Sequence, residues 1–230
     1  MNCATCGQAV PDGTTVCGNC GAPSAATPRA PGTALNRLTE RVKAILLTPR
    51  AEWPVIAAEA TTAQDIYTRY VAPLVAIGVI ASFIGAVLIG IPLPMVGTVR
   101  LGLGAALTAA ILRFVLTFVA VFVVAMLVDA LAPTFGGERN GLRALKLTAY
   151  SFTPAWIAAV LTILPSLGVL AGLIGLYGLY LMYVGLPVLM RAPDDKALGY
   201  TVVVVLCAIV LSIIVSAITA LVTGGYGAPL

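Results

Sequence analysis

Five long apolar runs occupy the chain from about residue 70 onward. They cover residues 70–91, 105–131, 148–164, 167–190 and 200–222. All except the third reach the roughly 20 residues that an α-helix needs to cross a bilayer. The third carries Pro154 near its start, so its beginning is the least defined boundary. The pattern predicts an all-α polytopic membrane protein, with a bundle of five transmembrane helices over residues 70–222 and a short tail at 223–230.

The composition favours the same class of protein. Hydrophobic residues make up 60% of the 230 residues, charged residues only 10%, and the mean hydropathy is +1.04. A soluble domain carries about 25% charged residues, so this chain is predicted to have the lipid bilayer as its partner. The sequence contains no His, which removes His-assisted nucleophiles and His-metal sites. We therefore expect a protein that is not an enzyme.

The placement of the basic residues predicts an orientation. With the N-terminus inside, eleven of the 13 basic residues fall in inner segments, Arg100 lies outside, and Arg113 lies in the second run. This bias is typical of the positive-inside rule. Merging the third and fourth runs would place Arg191 and Lys196 outside and remove the bias. No secretory signal precedes the runs, so we expect a multi-pass membrane protein with the N-terminus cytoplasmic and the C-terminus outside.

Residues 1–22 carry a different kind of pattern, two Cys-x-x-Cys pairs with ten residues between them. The four cysteines are Cys3, Cys6, Cys17 and Cys20. Each pair can bind one side of a tetrahedral metal ion, and turn-forming residues between them allow a short hairpin. The spacing predicts a structural zinc ribbon, because four Cys ligands leave no open position for catalysis. Iron in a rubredoxin-like site is the alternative, and disulfides are disfavoured in a reducing compartment.

Two segments join this module to the apolar runs. Residues 23–32 are rich in Pro and Ala without periodicity and predict a flexible linker. Residues 33–69 predict cytoplasmic amphipathic or juxtamembrane helices, since apolar residues recur at helical spacing opposite a basic face. That face suits either the lipid surface or the protein's own cytoplasmic side. A helix break is expected at Thr48 and Pro49, and Trp53 is expected at the lipid headgroups.

Charged residues inside predicted spans are candidate functional residues. Arg113 is the strongest candidate, although its position near the outer side lets its long side chain snorkel to the interface. Asp129 follows sixteen residues later, about 24 Å along a helix, which is too far for the two to pair. Its expected partners are Arg139, Arg143 or Lys146 in the segment that follows. The fourth run holds a stripe of glycines with a row of tyrosines, a pattern of close helix packing or of a polar cavity.

Several phrases of the chain resemble a known family. They lie at residues 41–59, 66–77, 129–137, 144–156 and 176–205. They look like bacterial members of the Yip family, the Ypt/Rab-interacting membrane proteins, over about residues 37–222. The resemblance implies a five-helix integral membrane domain of a bacterial inner (plasma) membrane, with a cytoplasmic N-terminal region and no assigned biochemical activity. Rab-dependent vesicle traffic, known for eukaryotic members, does not transfer to this chain.

Two functions follow as hypotheses. The first is a non-enzymatic membrane scaffold or adaptor, in which the zinc ribbon serves a cytoplasmic protein partner or a homo-oligomer. Arg139, Arg143 and Lys146 would then form a cytoplasmic docking loop. The second is a small transporter, channel or lipid-handling protein that uses Arg113 and the Gly/Tyr-rich fourth helix. Nucleic-acid binding is not expected, because topology already accounts for the basic residues.

Overall fold

The computed structural model describes residues 33–93 and 97–223. Contacts divide the chain into two units, Met1–Glu40 and Arg41–Leu230, and the contacts described below are made within the second. The predicted zinc ribbon at 1–22, the linker at 23–32, and residues 94–96 and 224–230 lie outside the described residues. Within the described part, five helical segments are long and apolar enough to cross a membrane. The prediction of a multi-pass helical membrane protein is confirmed at this level.

The five spans are numbered in chain order. Span 1 is Ala63–Ile89, span 2 is Leu103–Phe135, span 3 is Gly141–Ile163, span 4 is Gly168–Met190 and span 5 is Asp194–Val222. Between residue 33 and span 1 the structure describes two helices, α1 (Ala34–Leu47) and α2 (Pro49–Ala58). The α-helices of the spans are α3 (Ala63–Ile66), α4 (Ala72–Ile84), α5 (Leu103–Leu131), α6 (Gly141–Ser151), α7 (Thr153–Ala158), α8 (Gly168–Gly175), α9 (Tyr177–Met190) and α10 (Asp194–Val222).

Only spans 2 and 5 consist mainly of one uninterrupted helix. Span 1 contains π-helical turns at Tyr67–Val71 and Gly85–Ile89. Span 3 breaks at Phe152, just before Pro154, and ends as a 3-10 helix at Ala159–Ile163. Pro is accepted at the second position of α7 because the amide that it lacks has no helical partner there. Sequence reasoning therefore placed the start of span 3 too late, because α6 is moderately polar and precedes the apolar run.

Span 3 occupies the centre of the bundle. Its most apolar window is 61% buried, against 28% or less for the other spans. Glycines on both neighbours allow this position. A Cβ at Gly78 of span 1 would lie 2.8 Å from the Ala159 side chain. One at Gly85 would lie 2.6 Å from the Thr162 carbonyl oxygen. Without a hydrophobic effect inside lipid, such close approach is a main source of helix association.

Span 4 packs on the other side of span 3 in the same way. A Cβ at Gly178 would lie 2.5 Å from the Ser151 carbonyl oxygen, and one at Gly185 would lie 2.6 Å from the Leu147 side chain. Nothing lies within 4 Å of a Cβ at Gly168 or Gly172. The glycine stripe therefore serves close packing at its C-terminal half and faces open space at its N-terminal end.

A short hairpin, which the hydropathy pattern did not predict, joins spans 1 and 2. Strands β1 (Ile91–Leu93) and β2 (Gly97–Val99) pair antiparallel, with Ile91 opposite Val99 and Leu93 opposite Gly97. The predicted first run extended to residue 91 and so included the start of β1. Gly90 adopts φ +95° between helix and strand, a conformation that favours glycine. The residues of β1 are as apolar as those of span 1, so hydropathy alone did not show where the span ends and the strand begins.

The helices before span 1 form as predicted, with the break at Thr48 and α2 starting on Pro49. One set of their apolar side chains packs on the protein itself, whereas Leu47 and Val55 are exposed. Ile45, Trp53 and Ile56 are each 0% exposed. The expectation that Trp53 lies at the lipid headgroups is therefore wrong. Its ring lies edge-on to Tyr150 of span 3 at 6.4 Å, and the approach of Gly185 leaves room for it.

Candidate functional site

Four charged side chains meet between α1, α2 and span 3. Arg41 donates through Nη1 to Glu52 Oε1 and through Nη2 to Glu59 Oε2. Arg41 is only 8% exposed and Glu52 only 7%. The fourth member, Lys146 of α6, is buried to the same degree. We call Arg41, Glu52, Glu59 and Lys146 the charge junction.

Lys146 completes the junction through the backbone of α2. Its Nζ donates to the carbonyl oxygens of Ile56 at 2.8 Å and Glu59 at 2.6 Å. These carbonyls lie at the C-terminal end of α2, where they have no partner within the helix and carry the negative end of the helix dipole. A buried ammonium group needs such acceptors. Lys146 therefore attaches the end of α2 to span 3.

Aromatic residues extend the charge junction into the bundle. The Arg41 guanidinium lies 5.9 Å from the centre of the Tyr150 ring, within the range of a cation–π interaction. The Tyr70 ring lies 4.4 Å from that of Tyr150, and the Tyr70 hydroxyl is 2.7 Å from Thr153 Oγ1. Each charged group of the junction has a hydrogen-bond partner. The arrangement fits a rigid attachment of α2 and the C-terminal end of α1 to spans 1 and 3 better than a reactive centre.

A cavity of about 790 Å³ lies deeper among the spans, between α4, α5, α7 and α10. Its walls are mostly apolar, and its polar lining consists of Arg113 and a few hydroxyl groups, among them Thr117, Ser212 and Ser216. We call it the Arg113 cavity. Its volume lies within the range of about 300–1,000 Å³ of small-molecule sites. A cavity of this kind can accept a molecule with a long apolar part and one anionic group.

Arg113 is exposed and contributes to this cavity from the N-terminal half of α5. Within residues 33–93 and 97–223, no carboxylate forms an ion pair with it. Its backbone carbonyl accepts a hydrogen bond from the Thr117 hydroxyl at 2.7 Å. The guanidinium is thus available to a partner outside the chain, whether water, a lipid or a ligand.

The comparison with known families matches one domain to most of this architecture. The Yip1 domain matches residues 43–217. The chain belongs to the Yip1 domain family. No curated protein and no solved structure was found to match it. The Yip1 domain includes Glu52, Glu59, Lys146 and Arg113, begins two residues after Arg41, and leaves the four N-terminal cysteines outside.

Asp129 of the Yip1 domain lies near the end of α5 and pairs with one of its three expected partners. Its Oδ2 is 3.5 Å from Arg139 Nε, which confirms that prediction. The other oxygen, Oδ1, is buried without a hydrogen-bond partner in the described structure. The Arg139 side chain is 62% exposed, so the pair is solvated on one side and contributes no more than about 1 kcal/mol. It orders the connection between spans 2 and 3.

The predicted docking loop of the Yip1 domain differs from expectation. Only residues 136–140 are non-helical, and Arg143 and Lys146 lie on α6. Lys146 is 4% exposed and occupied by α2, so it cannot take part in an exposed docking surface. Arg139 remains exposed and Arg143 half-buried. Charge alone misled the prediction, because a buried Lys that binds backbone carbonyls has the same sequence signature as a loop Lys.

A tight turn shortens this connection. Gly136 adopts φ +76°, and Gly137 donates its amide to the Ala132 carbonyl at 2.7 Å. A Cβ on Gly137 would lie 2.7 Å from the Met190 carbonyl oxygen of span 4. Next to it, Glu138 pairs with Arg191 at 3.0 Å. The ends of spans 2 and 4 are therefore joined through two consecutive glycines of the Yip1 domain.

The other candidates are placed as follows. Cys3, Cys6, Cys17 and Cys20 lie outside the described residues, so the predicted metal site stays a prediction. Cys207 is half-buried on α10. Among the described residues, no group of three or more His, Cys, Asp or Glu could hold a metal ion. The Gly/Tyr-rich span 4 does not line the Arg113 cavity, and Tyr177 instead donates its hydroxyl to the Leu46 carbonyl at 2.9 Å.

Sequence reasoning missed Glu52 and Glu59. A signal was present, since the two lie seven residues apart, on one face of a helix, in an otherwise apolar segment. Carboxylates at such positions either face water or need a buried cation. That cation is Arg41, 11 residues before Glu52 and 18 before Glu59, and it was not identified because the sequence pattern placed it on the basic face of the first helix.

Proposed function

We propose that this Yip1 domain protein is a non-enzymatic membrane scaffold or adaptor. The observation that supports the proposal is the charge junction, which fixes α2 and the end of α1 to spans 1 and 3. The membrane-proximal helices are then a rigid platform rather than loose amphipathic segments. A rigid platform suits a role in holding other proteins at a membrane, because binding to it costs little conformational entropy.

The N-terminal module would provide the partner-binding element. Cys3, Cys6, Cys17 and Cys20 would hold a structural Zn²⁺, with iron as the alternative metal. The donor set fits either, since four thiolates suit both ions. About twenty residues cannot form a sufficient core alone, so the metal would supply the folding free energy. The partner is a cytoplasmic protein or a second copy of the chain.

The proposed orientation follows from the basic residues. The N-terminus and the connection between spans 2 and 3 face the cytoplasm, and the C-terminus faces outside, in a bacterial plasma membrane. The exposed Arg139 then lies on the same side as the zinc ribbon. Together with Arg143 it can contribute to a surface for an acidic partner.

Changing Cys3, Cys6, Cys17 and Cys20 to Ser is expected to abolish binding of zinc and to remove a specific set of co-purifying proteins. The reason is that Ser is not a thiolate ligand, so the module cannot fold. Metal content of the purified protein and crosslinking in the native membrane with mass spectrometry measure the two effects. The Cys207→Ser variant is the matched control. An unchanged set of crosslinked partners in the four-Ser protein would contradict recruitment through the ribbon.

A second function is supported by the Arg113 cavity. The cavity, with its single unpaired guanidinium, favours a protein that binds or moves an amphiphile or solute within the bilayer. This function does not require the zinc ribbon. It also does not involve the Gly/Tyr-rich span 4 as a lining element.

Protein reconstituted in liposomes is expected to move a solute or a fluorescent lipid between leaflets, and Arg113→Ala is expected to reduce this movement. The physical reason is the loss of the only charged group of the described cavity lining. Fluorescence quenching from one side of the liposome measures lipid movement, and entrapped dyes or isotopes measure solute movement. Equal rates for empty liposomes and wild-type proteoliposomes would exclude this second function.

A further inference from the structure

We propose that the Arg113 cavity is a binding site for one anionic phospholipid, whose phosphate group is held by the Arg113 guanidinium and whose acyl chain lies along the apolar walls. The inference deepens the second function of the preceding section. It concerns occupancy of the site, whereas that function concerns movement. A protein that binds the lipid without moving it would agree with this binding site and contradict the proposed transport function.

Charge is the first argument. Among the described residues that line the cavity, Arg113 alone is charged. An unpaired charge inside the membrane is unfavourable, and such residues pair with another group wherever one is available. A phosphate matches the planar guanidinium, since it can accept two parallel N–H bonds. No carboxylate of the described lining would attract a cationic headgroup, so the site favours lipids with a net negative charge.

Depth is the second argument. The helix α5 has 29 residues, which at 1.5 Å each is about 43 Å, close to the full thickness of a bilayer with its headgroups. Arg113 lies about 15 Å from the start of that helix, and so about 8 Å inside a hydrocarbon layer of about 30 Å. Its long side chain extends from there towards the interface. The phosphate of a bilayer lipid is therefore within its reach.

The shape of the cavity is the third argument. Its lining on α5 continues from Arg113 to Val124, eleven residues or about 16 Å further along the helix. The facing surface of α4 is also apolar there, with Leu74, Val75 and Val79. An acyl chain would lie along this surface. A free inorganic phosphate would leave it empty.

Hydroxyl groups that line the same cavity as Arg113 can supply further polar contacts. Ser212 and Ser216 lie one turn apart on one face of α10 and both line the cavity. The Ser212 hydroxyl donates to the Ile209 carbonyl at 2.7 Å and can accept a further bond. The Ser216 hydroxyl has no hydrogen bond within the described structure and can donate to a phosphate or ester oxygen. This fits the head of a phospholipid beside the guanidinium.

The test is native mass spectrometry of the purified full-length protein, titrated in detergent micelles with phosphatidylglycerol or phosphatidylcholine. We expect one tightly retained phosphatidylglycerol and weaker retention of phosphatidylcholine. Arg113→Ala should weaken phosphatidylglycerol binding by about tenfold or more, since a charge-assisted bond is lost. Arg100→Ala, which removes an exposed Arg outside the cavity, should leave binding unchanged. Millimolar inorganic phosphate should not displace the lipid.

A second pair of variants tests the acyl-chain part without touching Arg113. Ala120→Phe places a ring in the cavity and should abolish retention. Val119→Phe, at an exposed neighbouring position of α5, should not. If Arg113→Ala does not fold, retention of phosphatidylglycerol is measured for Arg113→Lys and Ala120→Phe instead. Equal retention of both lipids, displacement by inorganic phosphate, or equal binding by Ala120→Phe and Val119→Phe would each overturn the proposal.

Discussion

Replacing Arg41 by Met is expected to lower the free energy of unfolding by about 3–5 kcal/mol, the cost of breaking a buried ion pair from one side. Arg41 holds Glu52 and Glu59 together. Its loss leaves Glu52, 7% exposed, as a buried carboxylate without its cation. It also removes the guanidinium from the Tyr150 ring. The stem of Met fills much of the same space, so the effect reports charge more than volume.

Unfolding in mixed detergent micelles, followed by tryptophan fluorescence, measures this effect, since Trp53 lies beside the charge junction. Lys43→Met is the matched control, because Lys43 is exposed on the same helix and its loss should cost less than about 0.5 kcal/mol. The double variant Arg41→Met with Glu52→Leu should recover part of the loss, because no unpaired charge is left at Glu52. If Arg41→Met were as stable as Lys43→Met, the junction would not be holding α1 and α2.

Replacing Gly178 by Ala is expected to destabilise the bundle by about 1–3 kcal/mol or more through overpacking. The added Cβ would lie 2.5 Å from the Ser151 carbonyl oxygen. A backbone oxygen of the central span cannot rotate away as a side chain can. Spans 3 and 4 must therefore separate, and the packing of Leu147 and Trp53 against Gly185 is disturbed with them.

Gly172→Ala is the matched control in the same glycine stripe. It meets nothing within 4 Å, and removing glycine from a helix should be neutral or stabilise by about 0.5–1 kcal/mol. Thermal unfolding of the two variants in one detergent gives the comparison. Equal melting temperatures for Gly172→Ala and Gly178→Ala would show that Gly178 is not required for the close packing of spans 3 and 4.

The number and class of the spans could be predicted because they depend on local quantities. Hydropathy, run length and the prolines of each segment are visible without knowing any neighbour. The helix break before Pro49 was visible for the same reason. The start of span 3 was not, because α6 owes its place to the burial of residues such as Lys146 and Thr148. Their helix is stabilised by tertiary contacts rather than by hydrophobicity.

Side-chain roles were harder to predict than spans. Arg113 could be chosen as a candidate because a charge inside an apolar run is conspicuous. The Asp129 and Arg139 pair could be predicted because the two lie close along the chain. The charge junction could not, because each of its members alone resembles an ordinary surface charge. Lys146 also lies 87 residues after Glu59, the nearest other member along the chain. The glycines of span 1 were missed because their partner, span 3, was not yet known to be central.

The distance along the chain between α2 and Lys146 has a consequence for biosynthesis. Lys146 follows Ile56, whose carbonyl it binds, by 90 residues, which a ribosome adds in about 5–18 seconds at 5–20 residues per second. During that interval Arg41 can already pair with Glu52, but the C-terminal carbonyls of α2 have only water. The two helices are translated before any span, yet they cannot take their final position until the third span has been inserted. Their docking therefore marks a late step in the maturation of the nascent chain.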